Sequence, residues 1–150
     1  MLNFVSNKYL HLLFRLMLGF IFIFAGIEKI SDLSGFSNAI YNYKLLPISF
    51  INFIAIMLPW IELTSGILLL FGVYVKENSS IIAVLLIIFF IAIAISLARG
   101  LNIECGCFGT SNGSKIGVIK LVENLVLILM SALLIKFGSE LYSLKENSNN

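Results

Sequence analysis

The run IIAVLLIIFFIAIAISLA at residues 81–98 decides the fold, because it carries no charged side chain over eighteen positions. A helix of that length reaches about 27 Å, close to the hydrocarbon thickness of a bilayer. The whole chain has this character: 59% of its residues are hydrophobic, 12% are charged and its mean hydropathy is +1.02. A soluble domain of 150 residues carries many more charges. The sequence therefore predicts an integral membrane protein.

Three further apolar stretches flank this run, each long enough for a spanning helix. We predict an all-α, four-transmembrane-helix bundle in a single domain over 1–138, with helices at about 9–30, 48–75, 81–99 and 116–137. Lys76 to Ser80 is predicted to form a turn, and Pro59 to tilt or kink the second helix. The polar residues 139–150 are predicted to form a disordered tail.

The first predicted helix has charges near both ends and small residues between them. Arg15 has a side chain long enough to reach the headgroups, and Glu28 and Lys29 mark the far end of the helix. Gly19 and Gly26 are small enough for a neighbouring helix to approach closely.

Residues 32–46 predict an amphipathic helix at the membrane interface. Asp32 is a helix-capping residue, and Leu33, Phe36 and Ile40 follow it at helical spacing. This pattern favours a surface anchor over a moving lid.

Glu62 lies in the middle of the second predicted helix, close to Trp60. Lipid cannot solvate a carboxylate, so Glu62 is expected to face the protein interior or water. Two interpretations stay open: a structural hydrogen bond to a neighbouring helix, or a proton or substrate group near a redox site.

Both cysteines of the chain, Cys105 and Cys107, lie in a glycine-rich loop over residues 100–115. A disulfide between cysteines one residue apart should be strained, and strained disulfides tend to be labile and catalytic. The pair therefore favours thiol-disulfide exchange, and the alternative is two idle thiols that behave as small apolar residues.

The composition argues against two other kinds of site. His11 is the only histidine and lies far along the chain from the cysteines, so we expect no metal site. The net charge of +2 comes from charges scattered at helix ends, so we expect a lipid bilayer as partner and no nucleic acid.

Four spans would place both termini on one side of the membrane and the cysteine loop on the other. Lysine and arginine divide evenly between the two sides, so the positive-inside rule gives no orientation. Disulfide exchange is sustained in oxidising compartments, which favours an extracytoplasmic loop and cytoplasmic termini in a bacterial-type inner membrane.

Short motifs along nearly the whole chain point to one family: RLMLG at 15–19, AGIEKI at 25–30, YKLLP at 43–47, LPWIE at 58–62, RGL at 99–101 and CGCFG at 105–109. With these motifs the chain resembles the MauE/DoxX-like family of redox-associated membrane proteins. The resemblance implies a four-helix membrane bundle with an accessory role in extracytoplasmic disulfide formation, association with thioredoxin-like proteins and, for DoxX-type members, a link to membrane quinone.

The expected mechanism uses Cys105 and Cys107, which cycle between dithiol and disulfide through a mixed disulfide with a partner protein. Arg99 would favour the thiolate, because a nearby cation lowers the pKa of a thiol. Glu28, Lys29, Trp60 and Glu62 are the supporting residues, expected to form a quinone or proton site.

Two alternatives belong to other functional classes. The first is a non-catalytic membrane subunit or assembly factor of a redox enzyme complex. The second is a small-solute transporter, for which Arg15, Asn52 and Glu62 would have to line a polar path.

Overall fold

The computed structural model describes residues 8–100 and 118–137, and no strand occurs within these two ranges. The described chain forms five helices, α1 to α5: Lys8–Ser31, Leu33–Asn42, Ile48–Leu70, Val75–Ala98 and Val118–Phe137. Three of them, α1, α3 and α4, are long and apolar enough to cross a membrane. The prediction of an all-helical membrane protein is confirmed, whereas a fourth span is not established. The predicted tail and most of the cysteine loop lie outside the described residues.

Helix α1 packs most extensively against α3, and its small residues explain why. A Cβ added at Gly26 would lie 3.0 Å from the Pro59 carbonyl oxygen, and one added at Gly66 would lie 2.9 Å from the Gly19 carbonyl oxygen. The two backbones approach so closely that only glycine fits. The predicted close approach at Gly19 and Gly26 is therefore confirmed.

The turn between α3 and α4 lies earlier in the chain than predicted. Helix α3 ends at Leu70 and α4 begins at Val75, so residues 76–80 belong to the first turns of α4. Gly72 has a φ of 69°, a left-handed conformation that glycine adopts readily and that ends a helix. The Asn78 side-chain amide donates to the Val73 and Tyr74 carbonyl oxygens at 2.7 and 3.2 Å, which fixes the turn.

Helix α2 is shorter than the predicted range of 32–46. Asp32 caps it as expected, because its side chain accepts a hydrogen bond from the Gly35 N–H at 2.9 Å. The helix ends at Asn42, since Lys44 takes a left-handed φ of 50° that the helix cannot continue. Its buried residues are Phe36 and Ala39, and Tyr43, which caps its end, is buried as well. At ten residues α2 is too short to span a membrane.

The main hydrophobic core lies where α1, α3, α4 and α5 meet. Leu18, Leu69, Ile82 and Leu134, one residue from each helix, are fully buried there. The contact between α1 and α5 is thin, whereas α4 packs along α5 extensively. The four long helices thus form a ring in which the α1–α3 and α4–α5 sides are packed extensively and the α3–α4 and α1–α5 sides are packed thinly.

Candidate functional site

An ion pair between α1 and α3 is buried inside the bundle. The Lys29 ammonium donates to both carboxylate oxygens of Glu62, with Nζ 2.7 Å from Oε2 and 3.0 Å from Oε1. Lys29 is 0% exposed and Glu62 1% exposed. The prediction that Glu62 faces the interior is confirmed, and its partner is a cation 33 positions earlier in the chain.

Aromatic rings from two other helices enclose this ion pair. The Lys29 Nζ lies 5.4 Å from the centroid of the Phe36 ring in α2 and 5.3 Å from that of Phe89 in α4. Both distances are within the range of a cation–π interaction, which strengthens when water is excluded. One lysine side chain therefore connects four helices of the bundle.

The geometry gives the pair a structural role. Lipid cannot solvate either charge, and each is neutralised and hydrogen-bonded by the other. Both side chains are sealed from solvent, so neither has a surface at which a substrate could bind. The charge of Lys29 therefore neutralises Glu62 inside the bundle.

The remaining supporting residues are not gathered around Glu62. Trp60 is 55% exposed, because residues two positions apart on a helix point in different directions. Glu28, next to Lys29 in sequence, is half-buried and faces α5. The expected quinone or proton site at Trp60 and Glu62 is thus not assembled by the described residues.

Cys105 and Cys107 lie outside the described residues, in the segment 101–117 that joins α4 to α5. Both ends of that segment are described. Arg99 caps the end of α4, with its backbone N–H bonded to the Ile95 carbonyl oxygen at 3.0 Å, and its side chain is exposed. Arg99 is six positions before Cys105 in the sequence, and the structure places it at the exposed end of α4.

Several buried polar residues were missed by the sequence analysis. Arg15 is 2% exposed, so its side chain lies in the interior and does not reach towards the headgroups as expected. His11 is also buried, stacked on Phe137 with ring centroids 5.4 Å apart. Asn124 and Ser96 are buried, and neither side chain has a hydrogen-bond partner within residues 8–100 and 118–137. The sequence signal that could have identified them as buried is their helical spacing relative to the apolar residues that face the core.

Lys120 lies near the start of α5. It pairs with Glu123, with Nζ 2.8 Å from Oε2, and both side chains are partly exposed. A partly exposed ion pair contributes little to the free energy of folding. The location of this pair on α5 is therefore of more interest than its energy.

These features define a class: an all-α integral membrane protein with a sealed ion pair in its bundle and a cysteine-containing segment between two of its helices. Over residues 7–137 the chain matches the family described as Methylamine utilisation protein MauE. The chain belongs to the MauE family.

Individual relatives agree with this assignment. The chain is 35% identical to Methylamine utilization protein MauE of Methylophilus methylotrophus over 109 residues, covering 71% of this chain and 57% of that protein. Proteins of the same name from Paracoccus denitrificans and Methylorubrum extorquens are 27% and 36% identical, over 78% and 61% of this chain and 63% and 48% of those proteins. The chain thus spans about half to two thirds of the length of these relatives. No solved structure gives a significant match.

Proposed function

We propose that this chain is a membrane thiol-disulfide redox protein that exchanges disulfides with an extracytoplasmic, thioredoxin-like partner. One observation carries the proposal: both cysteines of the chain flank a single glycine in the segment that joins α4 to α5. The names of the relatives support a role in methylamine utilisation. The proposed role is an accessory step that introduces or rearranges disulfides in another protein.

The chemistry requires a thiolate and a leaving thiol. In the oxidising direction, a partner thiolate attacks one sulfur of the Cys105–Cys107 disulfide and forms a mixed disulfide, and the other cysteine leaves as a thiolate. A second partner thiolate then resolves the mixed disulfide, so the partner loses two electrons and the Cys-Gly-Cys pair gains them. Arg99 favours the thiolate form, because its cation lies at the entry to the segment.

The proposed setting is a four-span bundle in a bacterial inner membrane. Helix α5 has 20 residues and would extend about 30 Å, which supports a fourth span despite its charged residues near both ends. Four spans would put both termini on one side of the membrane and the cysteine segment on the other. The proposed orientation has the termini in the cytoplasm and the cysteine segment outside it, where disulfides persist. Membrane quinone is the proposed final acceptor of the electrons.

Trapping the intermediate tests this function. With Cys107→Ser, the Cys105 thiolate can still attack the disulfide of an oxidised partner, the reverse of the oxidising direction, but no Cys107 thiolate can then displace that partner. The mixed disulfide should therefore accumulate, and the partner protein should appear on non-reducing gels. Cys105→Ser/Cys107→Ser is the control and should trap nothing. If Cys107→Ser traps no partner under oxidising or reducing growth while methylamine-dependent growth survives, disulfide exchange is not the function.

A non-catalytic subunit or assembly factor is the second candidate, and the sealed Lys29–Glu62 pair favours it. The pair joins four helices into a rigid unit without forming an accessible reaction site. This alternative predicts that the variant lacking both cysteines keeps full function, whereas disruption of the ion pair abolishes it.

A further inference from the structure

Two asparagines of the described helices are buried, and they differ in their hydrogen bonds. Asn78, 4% exposed, donates to the Val73 and Tyr74 carbonyl oxygens at the start of α4. Asn124 in α5 is 1% exposed, and neither its Oδ1 nor its Nδ2 atom has a hydrogen-bond partner among residues 8–100 and 118–137. Polar groups buried in a protein are almost always hydrogen-bonded, so the Asn124 amide indicates a bound polar ligand.

The buried serines of α4 and α5 show the same contrast. Ser96 in α4 and Ser131 in α5 are both 0% exposed. The Ser131 hydroxyl donates to the Ile128 carbonyl oxygen of its own helix at 2.8 Å, whereas the Ser96 hydroxyl has no partner in the described part of the chain. Because α4 and α5 pack extensively, Ser96 and Asn124 add two unsatisfied polar side chains to the interior of one helix pair.

Both residues lie beside a small hydrophobic cluster. It consists of Tyr43 and Ile93, with Phe89, Ala92, Leu97 and Leu121 packed against it. Ser96 follows Ile93 by three positions in α4, and three positions place two side chains on the same face of a helix. Asn124 follows Leu121 by three positions in α5. It is also about 9 Å along the helix from Val118, so it lies well inside α5.

The chemistry of the two side chains selects water as the ligand. The Asn124 amide offers two donors and one acceptor, and the Ser96 hydroxyl offers one donor and two lone pairs. An apolar molecule would leave these groups unsatisfied, and an ion would add a charge that neither neutral side chain can compensate. Both residues are at most 1% exposed, so the ligand is small. Water is small, donates and accepts, and typically makes about three hydrogen bonds in a protein interior.

We propose that Asn124 and Ser96 hold internal water molecules between α4 and α5. The Phe89 ring packs against the neighbouring cluster and also lies 5.3 Å from the Lys29 Nζ, so it connects the proposed hydration site with the Lys29–Glu62 pair. The bundle then has two polar centres, one ionic and sealed, the other neutral and hydrated. The proposal involves no cysteine and is independent of the proposed function.

Radiolytic hydroxyl labelling of the full chain in lipid nanodiscs tests the site. A short X-ray pulse converts water into hydroxyl radicals, which modify side chains close to the water molecule in which they form, and mass spectrometry locates the modified residues. Each rate is divided by the rate of the same residue in the denatured chain. We expect Ile93 to be modified although it is 1% exposed, and Leu86, equally buried among apolar neighbours in α4, to stay unmodified.

Matched variants make the test specific. Ser96→Ala removes an unpartnered hydroxyl and should lower the modification of Ile93 towards the rate of Leu86. Ser131→Ala makes the same change at an equally buried serine that bonds to its own helix, and should leave the modification of Ile93 unchanged. Asn124→Leu replaces the amide with an apolar side chain of similar size and should abolish the excess modification. Should Asn124→Leu fail to fold, the two serine variants still decide the test.

Three results would overturn the proposal. The first is an Ile93 of the parent chain that is modified as slowly as Leu86, which would show that the interior between α4 and α5 is dry. The second is an equal loss of modification in Ser96→Ala and Ser131→Ala. The third is unchanged modification of Ile93 in a folded Asn124→Leu variant.

Discussion

Helix α1 packs mainly against α3 and α5, and these two interfaces differ in almost every physical respect. Against α3 it places glycines and a lysine, and the backbones approach until no Cβ fits. Against α5 it places Met17, Ile21 and Phe24, and an open groove remains. The sealed side contains a buried ion pair, whereas the charges of the open side are at its exposed end.

The difference shows how one helix forms both a tight interface and an open one. In lipid, burial of apolar side chains gives little driving force, so small residues and polar contacts hold helices together. The α1–α3 interface has both. The α1–α5 interface has neither in its middle, and its large flexible side chains leave a groove between the helices.

The largest expected effect comes from breaking the ion pair. Lys29→Met or Glu62→Leu alone leaves an uncompensated buried charge, and each should lower the free energy of unfolding by about 3–5 kcal/mol. Thermal and denaturant unfolding in detergent measures it. Lys29→Met combined with Glu62→Leu should recover most of the loss, because no charge then remains buried. Additive losses in the double variant would show that the two groups do not act as a pair.

The titration of Tyr43 tests whether the water-excluded region around the Lys29–Glu62 pair extends to the end of α2. Burial raises the pKa of Tyr43 to about 12 from its usual value near 10. As the pH rises from 10 to 12, the unfolded chain releases the phenolic proton and the folded chain keeps it, so stability falls by about 2–3 kcal/mol. Below pH 10 this group adds no pH dependence. Tyr43→Phe should remove the fall, whereas Tyr41→Phe, at an exposed position, should retain it.

Close packing between α1 and α3 is tested at Gly66. Its added Cβ would lie 2.9 Å from the Gly19 carbonyl oxygen and 3.0 Å from the Ile23 backbone nitrogen. Gly66→Ala should therefore force the helices apart and cost about 1–3 kcal/mol in unfolding free energy. Ala132→Val adds carbon atoms at an exposed position of α5 and should change stability little. Gly66→Ala as stable as the parent chain would mean that the interface is looser than described.

The smallest effect is expected on the open side. Val126→Ala shortens a groove wall that is already half-exposed, so unfolding should change by no more than about 0.5 kcal/mol. The same unfolding assays measure it. A loss comparable to that of Gly66→Ala would show that α5 packs against α1 as tightly as α3 does, and the contrast between the two sides would disappear.

Local patterns in the sequence predicted much of the fold. The first helix, predicted at 9–30, is observed at Lys8–Ser31, and Asp32 caps α2 as its residue type suggests. The inward position of Glu62 followed from the cost of a carboxylate in lipid. Each of these predictions depends on a few neighbouring residues or on the solvent alone, so one sequence contains enough information to make it.

Other features depend on tertiary contacts and could not be predicted. Lys29 and Glu62 are 33 positions apart, and only the relative height of α1 and α3 in the bundle brings them together. Trp60 lies two positions from Glu62, yet the packing of α3 turns the tryptophan outwards. The α3–α4 turn was misplaced because polar residues in the first turns of α4 resembled a loop, although Gly72 marks the true helix end.

The most direct test of the proposed function is the redox state of Cys105 and Cys107 in intact cells. Free thiols are trapped with a membrane-impermeant alkylating reagent before and after mild reduction, with Cys105→Ser/Cys107→Ser as the blank. We predict labelling only after reduction, the result of an extracytoplasmic disulfide in use. Labelling that requires opening of the membrane would place the cysteines in the cytoplasm or the bundle interior, and would contradict the proposed exchange.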